Sequence, residues 1–150
     1  MSSKDRLYIA YGSNLNLEQM KYRCPTAEMV GATVLRNWQL RLRGGNHSAV
    51  ATIERRKGSK VPVLVWRIQP KDEAALDCYE GWPHLYRKKT LRITINGKRV
   101  YAMVYIMNEA HHPYGMPSMG YLSTIDAGYQ TAGFDHHILI EAMNKSKEAL

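Results

Sequence analysis

Two short stretches of this sequence hold residue types that could do chemistry. The first ends at Glu80, which follows Pro70-Lys71-Asp72-Glu73-Ala74-Ala75-Leu76-Asp77-Cys78-Tyr79 and precedes Gly81. Proline first and glycine last is the asymmetry of a helix, so Glu80 falls at a helix C-terminus. The macrodipole is negative there, and Tyr79 and Trp82 are expected to desolvate the carboxyl, so its pKa should rise. A carboxylate of raised pKa suits proton abstraction near neutral pH. Position alone also fits a solvated helix-end glutamate, the commoner state of that residue. The second stretch is the loop Tyr11-Gly12-Ser13-Asn14. Glycine permits φ above zero and a close backbone approach to a ligand, while Ser and Asn add short polar groups that tolerate turns. Such a loop can offer N–H donors to a carboxylate or a developing oxyanion. By composition alone it reads more readily as an ordinary strand-to-helix turn.

Other reactive residue types find no partners. His111-His112 and His136-His137 raise the question of a metal, but adjacent histidines diverge and no nearby Cys, Asp or Glu completes a ligand spacing. No metal is expected. Ser13 and Ser48 lack a Gly-x-Ser-x-Gly elbow, and Gly12-Ser13 lacks the spacing and lysine of a phosphate loop. Cys24 and Cys78 are too few for a disulfide scaffold and have no assigned histidine, so reduced, half-buried thiols are expected. Tyr86 and Tyr121 could donate phenolic hydrogen bonds in a pocket, although among ten tyrosines most must be structural.

The elements that must position these residues follow from periodicity. Arg6-Leu7-Tyr8-Ile9-Ala10-Tyr11 is a short apolar and aromatic run suited to a buried strand, which stops at the Gly-Ser-Asn loop. Asn14 or Asn16 then caps a short helix through about Arg23, ended by Cys24-Pro25. Residues 32–43, 48–54 and 60–68 read as strands, separated by Gly44-Gly45-Asn46 and Lys57-Gly58-Ser59. Residues 90–95 and 100–107 flank Asn96-Gly97-Lys98-Arg99, a strong hairpin signal. Two further helices are expected at about 118–131 and 135–147, the latter capped by Asp135. The 113–119 stretch fits a pocket wall and a rigid connector equally. Strands with inserted and terminal helices, without βαβ alternation, predict an α+β fold with a compact, mostly antiparallel, barrel-like sheet in one domain over 1–150.

With 150 residues, 45% hydrophobic and 23% charged, the chain has ordinary globular composition. No apolar run nears the roughly 18 residues of a membrane span, and the N-terminus runs into a strand-like segment rather than a signal sequence. A cytoplasmic protein with no membrane partner is expected. The net charge of +8 invites a nucleic-acid reading. Only Arg55-Arg56-Lys57 and Arg87-Lys88-Lys89 cluster tightly, and each flanks a strand where solvated charge is expected, so no nucleic-acid partner is predicted.

In order along the chain stand Tyr8-Ile9-Ala10-Tyr11-Gly12-Ser13-Asn14-Leu15, Leu76-Asp77-Cys78-Tyr79-Glu80-Gly81-Trp82-Pro83-His84-Leu85-Tyr86 and Pro117-Ser118-Met119-Gly120-Tyr121-Leu122. Together they resemble the γ-glutamylcyclotransferase-like superfamily over nearly the whole chain. The resemblance implies a barrel-like α+β fold whose cavity binds a small-molecule γ-glutamyl substrate, and a reaction releasing 5-oxoproline and a free amine without a cofactor. It implies Glu80 as the proton acceptor, and Tyr11, Gly12, Ser13, Asn14 and Tyr121 around the substrate, with Tyr86 beside them. A non-catalytic module keeping the same pocket is the alternative. Neither the leaving amine nor the oligomeric state follows from these motifs.

Overall fold

The computed structural model describes residues 4–108 and 112–150. Five strands and four helices follow one another as β1 (Arg6–Ala10), a 3-10 turn (Ser13–Leu15), α1 (Leu17–Arg23), β2 (Glu28–Arg43), β3 (Val50–Ile68), α2 (Pro70–Glu80), β4 (Tyr86–Ile95), β5 (Lys98–Met107), α3 (Met119–Ala132) and α4 (His136–Glu148). The strands form one sheet in the order β2-β3-β1-β5-β4. Every neighbouring pair is antiparallel except β1 with β5, which run parallel with Tyr8 opposite Met103. Helices surround a mostly antiparallel sheet, the α+β arrangement expected. The sheet curls until its two edges meet, where Thr33 Oγ1 donates to the Thr94 carbonyl at 2.7 Å and Asn96 Nδ2 to the Val30 carbonyl at 3.2 Å.

Local chemistry explains most element boundaries. Asn16 caps α1 by accepting from the Gln19 N–H, Ser118 caps α3 through the Tyr121 N–H, and Asp135 caps α4 through the His137 N–H. Asn96 and Gly97, with φ of 50° and 77°, form the two-residue turn joining β4 to β5. Alternation sets the buried face of β4, where Leu91, Ile93 and Ile95 point inward. In β5 the last six residues are buried on both faces, because the strand lies inside the sheet. At the 3-10 turn, a Cβ on Gly128 would lie 2.7 Å from Leu15 Cβ, so glycine is what lets α3 press against that turn.

Several expectations need correction. β2 begins at Glu28, four residues before the expected start at 32. The two strands foreseen at 48–54 and 60–68 are one strand, β3, and Lys57-Gly58-Ser59 is not a turn between them. Arg55 pairs with Trp38 and Lys60 with Arg36, so residues 56–59 stand opposite the single Asn37. Gly58 N–H donates to Asn37 Oδ1 at 3.1 Å, and both residues have positive φ. The turn signal is therefore spent on a bulge that the ladder passes through. The thiols are not half-buried: Cys24 is buried, its pKa pushed by burial to about 12, and Cys78 is exposed. The second basic run is not simply solvated, since Lys88 Nζ sits 2.7 Å from Glu73 and 2.8 Å from Asp77. Arg55 lies over the Trp38 ring at 4.7 Å.

The 113–118 segment resolves as a connector. Gly44 N–H donates to the Pro113 carbonyl, Gly115 N–H to Leu42 and Ala49 N–H to Met116, which straps the segment to the β2-β3 hairpin. Among the described residues, no helix is long and apolar enough to cross a membrane.

Candidate active site

The seven residues singled out from the sequence, Tyr11, Gly12, Ser13, Asn14, Glu80, Tyr86 and Tyr121, come together around one cavity of about 180 Å³. A dry cavity of ~150 Å³ can hold a benzene-sized guest. The space thus suits one small polar group, with any larger remainder of a ligand outside its mouth.

Glu80 reaches this cavity because of how α2 ends. Gly81 adopts the left-handed conformation, φ 68°, and the Trp82 N–H returns to the Asp77 carbonyl at 3.0 Å. The chain leaves the helix there and Glu80 remains as its last residue, turned to the cavity. The carboxylate accepts no hydrogen bond from a described residue. Burial pushes its pKa up to about 7, against the opposing pull of the Arg23 guanidinium. The raised value was expected, but one of its expected causes was not: Trp82 is 43% exposed and lies under Lys88 Nζ at 4.2 Å, outside the cavity. The same glycine turn that leaves Glu80 at the cavity carries the indole away. Tyrosines share the cavity with the carboxyl instead, Tyr8 from β1, Tyr79 from α2 and Tyr105 from β5 among them.

Glycine serves the loop through space rather than through positive φ. Gly12 has φ −124°, and a Cβ there would lie 3.1 Å from Ala51 Cβ and 3.5 Å from the Tyr121 hydroxyl. The loop side chains are largely occupied. Asn14 Nδ2 donates to the Tyr8 hydroxyl at 2.9 Å, Ser13 Oγ is 3.2 Å from the Tyr79 hydroxyl, and Arg23 donates to both Ser13 Oγ, at 3.3 Å, and Asn14 Oδ1. Leu15 is the first residue to donate within the 3-10 turn, to the Gly12 carbonyl at 3.0 Å, which leaves the Ser13 and Asn14 N–H groups without an acceptor inside the turn.

The opposite wall is fixed by the backbone of one residue, Ala51. Ala51 N–H donates to the Tyr121 hydroxyl at 2.9 Å, while the Tyr86 hydroxyl donates to the Ala51 carbonyl at 2.6 Å. Tyr11 donates to the Tyr105 carbonyl at 2.6 Å. Burial raises the pKa of all three phenols, so near neutral pH they are hydrogen-bonding groups and not bases.

Sequence reasoning missed Tyr8 and Tyr105 as wall residues and Arg23 as their neighbour. Tyr8 lies inside a quoted motif, three residues before Tyr11, yet nothing in the spacing separates a wall tyrosine from a core one. For Arg23 the available signal was its i,i+4 relation to Gln19, whose Oε1 it meets at 2.8 Å. Of the histidine pairs, His112, His136 and His137 do not line the cavity. His136 Nε2 lies 3.0 Å from Asp126 Oδ1, and His111 lies outside the described residues. Among the described residues, no three His, Cys, Asp or Glu side chains gather as a metal site.

Comparison with known proteins adds a family to this geometry. Residues 8–123 match the family model described as gamma-glutamyl cyclotransferase, AIG2-like. A mouse (Mus musculus) protein named gamma-glutamylcyclotransferase is 31% identical over 138 residues, 85% of this chain and 71% of that one. The human (Homo sapiens) protein of that name is 28% identical over 136 residues, with the same coverage of both chains. A solved structure titled gamma-glutamyl cyclotransferase superposes with a TM-score of 0.78 at 25% identity, covering 97% of this chain and 88% of that chain.

Proposed function

The chain belongs to the gamma-glutamyl cyclotransferase, AIG2-like family, and from that premise we propose that it releases 5-oxoproline and a free amine from a γ-glutamyl amine or γ-glutamyl amino acid, with Glu80 moving the protons. In this reading the substrate's γ-glutamyl group occupies the cavity, folded so that its own α-nitrogen approaches its γ-carbonyl carbon. Glu80 takes a proton from the α-ammonium. The freed amine attacks, a C–N bond forms, and charge develops on the carbonyl oxygen. Collapse breaks the bond to the leaving nitrogen. The α-nitrogen ends with one hydrogen in the lactam, so two protons leave it; the departing nitrogen takes both and leaves as an ammonium ion. A carboxyl of pKa about 7 accepts and returns protons with little bias near neutral pH.

Because the attack is intramolecular, folding the chain and holding the reacting atoms close supply much of the acceleration. The Ser13 and Asn14 N–H groups are the loop's candidates for meeting the oxyanion. The reaction requires no cofactor, since every atom and proton comes from the substrate. The observation that carries this reading is a carboxylate without a hydrogen-bond donor among the described residues, facing the loop of residues 11–14 across one small cavity. The test is 5-oxoproline release by the purified protein, without added metal, from a chemically varied γ-glutamyl panel. Product from at least one member, lost in Glu80→Gln, supports the reading. No product from the panel, where an established cyclotransferase succeeds in the same assay, removes it.

A further inference from the structure

Arg23 is not a member of the cavity wall, yet the groups that make the wall converge on it. Its guanidinium carbon lies over the Tyr79 ring, 3.4 Å from the ring centre. One nitrogen, Nη1, donates to Ser13 Oγ at 3.3 Å and also to Asn14 Oδ1. The other, Nη2, is held by Gln19 Oε1 at 2.8 Å, one turn earlier on α1. The planar fork is thus used on three polar partners and one aromatic face, an arrangement that a lysine ammonium cannot reproduce. Among the described residues no carboxylate forms an ion pair with Arg23.

The other titratable groups lining the cavity with Glu80 are phenols: Tyr8 on β1, Tyr11 at its end, Tyr79 on α2, Tyr86 on β4, Tyr105 on β5 and Tyr121 on α3. Those on β1, β4, β5 and α3, with Tyr11, are held neutral by burial. Arg23 is then the cation that acts on Glu80.

We propose that Arg23 is the positioning residue of this site, acting through two other groups: its fork fixes Ser13 and Asn14 of the loop, and its charge keeps Glu80 available as a proton acceptor near neutral pH. This rests on the proton-carrying role given to Glu80 above. The two actions separate by substitution. Lysine keeps the charge and loses the fork; glutamine loses the charge and keeps a polar, planar end.

The experiment follows kcat/KM against pH for the wild type, Arg23→Lys and Arg23→Gln, beside direct titration of the Glu80 carboxyl by carbon-13 NMR, with Glu80→Gln assigning its signal. In Arg23→Gln the acid limb of the profile and the NMR midpoint both move to higher pH, by roughly one unit, because an opposite charge no longer favours the ionised carboxyl. In Arg23→Lys both midpoints stay within a few tenths of a unit of the wild type, while KM rises several-fold from the released loop. An even loss of activity at every pH in Arg23→Gln, with the NMR midpoint in place, overturns the proposal and leaves Arg23 a packing residue. Should Arg23→Gln not fold, Arg23→Lys decides: a wild-type KM overturns the loop action, and a displaced midpoint overturns the charge action. If the wild type turns over no γ-glutamyl compound, the proposed reaction fails, and the NMR titration still reads the action of Arg23 on Glu80.

Discussion

Two carboxylates at opposite ends of α2 have been given opposite treatment. Asp72, in the first turn, is 2% exposed, and its Oδ2 accepts from Thr26 Oγ1 at 2.7 Å and from the Gln69 N–H at 2.9 Å, closing a capping box. The helix dipole favours its charge. Glu80, in the last turn, has the dipole against it and no donor among the described residues. Between them, Asp77 holds Lys88 and the Tyr105 hydroxyl at 2.8 and 2.6 Å. A carboxylate built into the fold is surrounded by hydrogen-bond donors. Glu80, the proposed proton carrier, has no such donors among the described residues.

The sharpest way to break this comparison is to neutralise each carboxylate in turn. Glu80→Gln should lower kcat by about 10²–10⁴-fold, the usual worth of a positioned proton carrier; 5-oxoproline release measures it. The same variant should be the more stable protein at high pH. Glu80 rises from an ordinary 4.5 to about 7 on folding. Below 4.5 it is neutral in both states and costs nothing. As pH climbs through that window the unfolded chain ionises first, so stability is lost, up to about 3 kcal/mol above pH 7. Chemical denaturation at pH 4.5 and pH 8 should show the gain of Glu80→Gln only at pH 8. Equal gains at both would mean that packing, not charge, distinguishes the variant.

Asp72→Ala should do the reverse, costing about 2–3 kcal/mol in urea unfolding by stranding the Gln69 N–H and the Thr26 hydroxyl, with kcat per folded molecule nearly intact. A large fall in kcat would show that the two ends of α2 are not independent. Tyr121→Phe lies between them. It leaves the Ala51 N–H without its acceptor and should cost about 1–2 kcal/mol and raise KM. The smallest effect belongs to the exposed Cys78 beside Glu80, where Cys78→Ser should stay within about 0.5 kcal/mol and leave turnover unchanged.

What could be read from the chain was mostly local. Pro70 and Gly81 mark α2, Asn96-Gly97 marks a hairpin, and Asp135 marks a cap, because each signal acts within a few residues of itself. The continuity of β3 was hidden, since a glycine turn and a bulge look alike until Asn37 is known to lie opposite. So was the parallel pairing of β1 with β5, whose partners Tyr8 and Met103 are far apart in sequence. The seven residues around the cavity were legible through motif order, and the raised pKa of Glu80 through its place at a helix end. Neither route reveals that Trp82 swings outward or that Arg23 reaches back to the loop, because both depend on tertiary contacts.

The hydroxyls that fix the cavity wall also bear on the molecule's behaviour in alkali. Tyr8, Tyr11, Tyr86, Tyr105 and Tyr121 of the wall, with Tyr129 outside it, six of the ten tyrosines, hold their protons beyond the ordinary phenol range while the fold persists. An unfolded chain surrenders those protons near pH 10, so rising alkalinity pulls the equilibrium toward it. Followed by tyrosinate absorbance, a base titration should therefore release these six chromophores in one steep wave together with loss of structure, making the tyrosine spectrum a gauge of the wall's integrity.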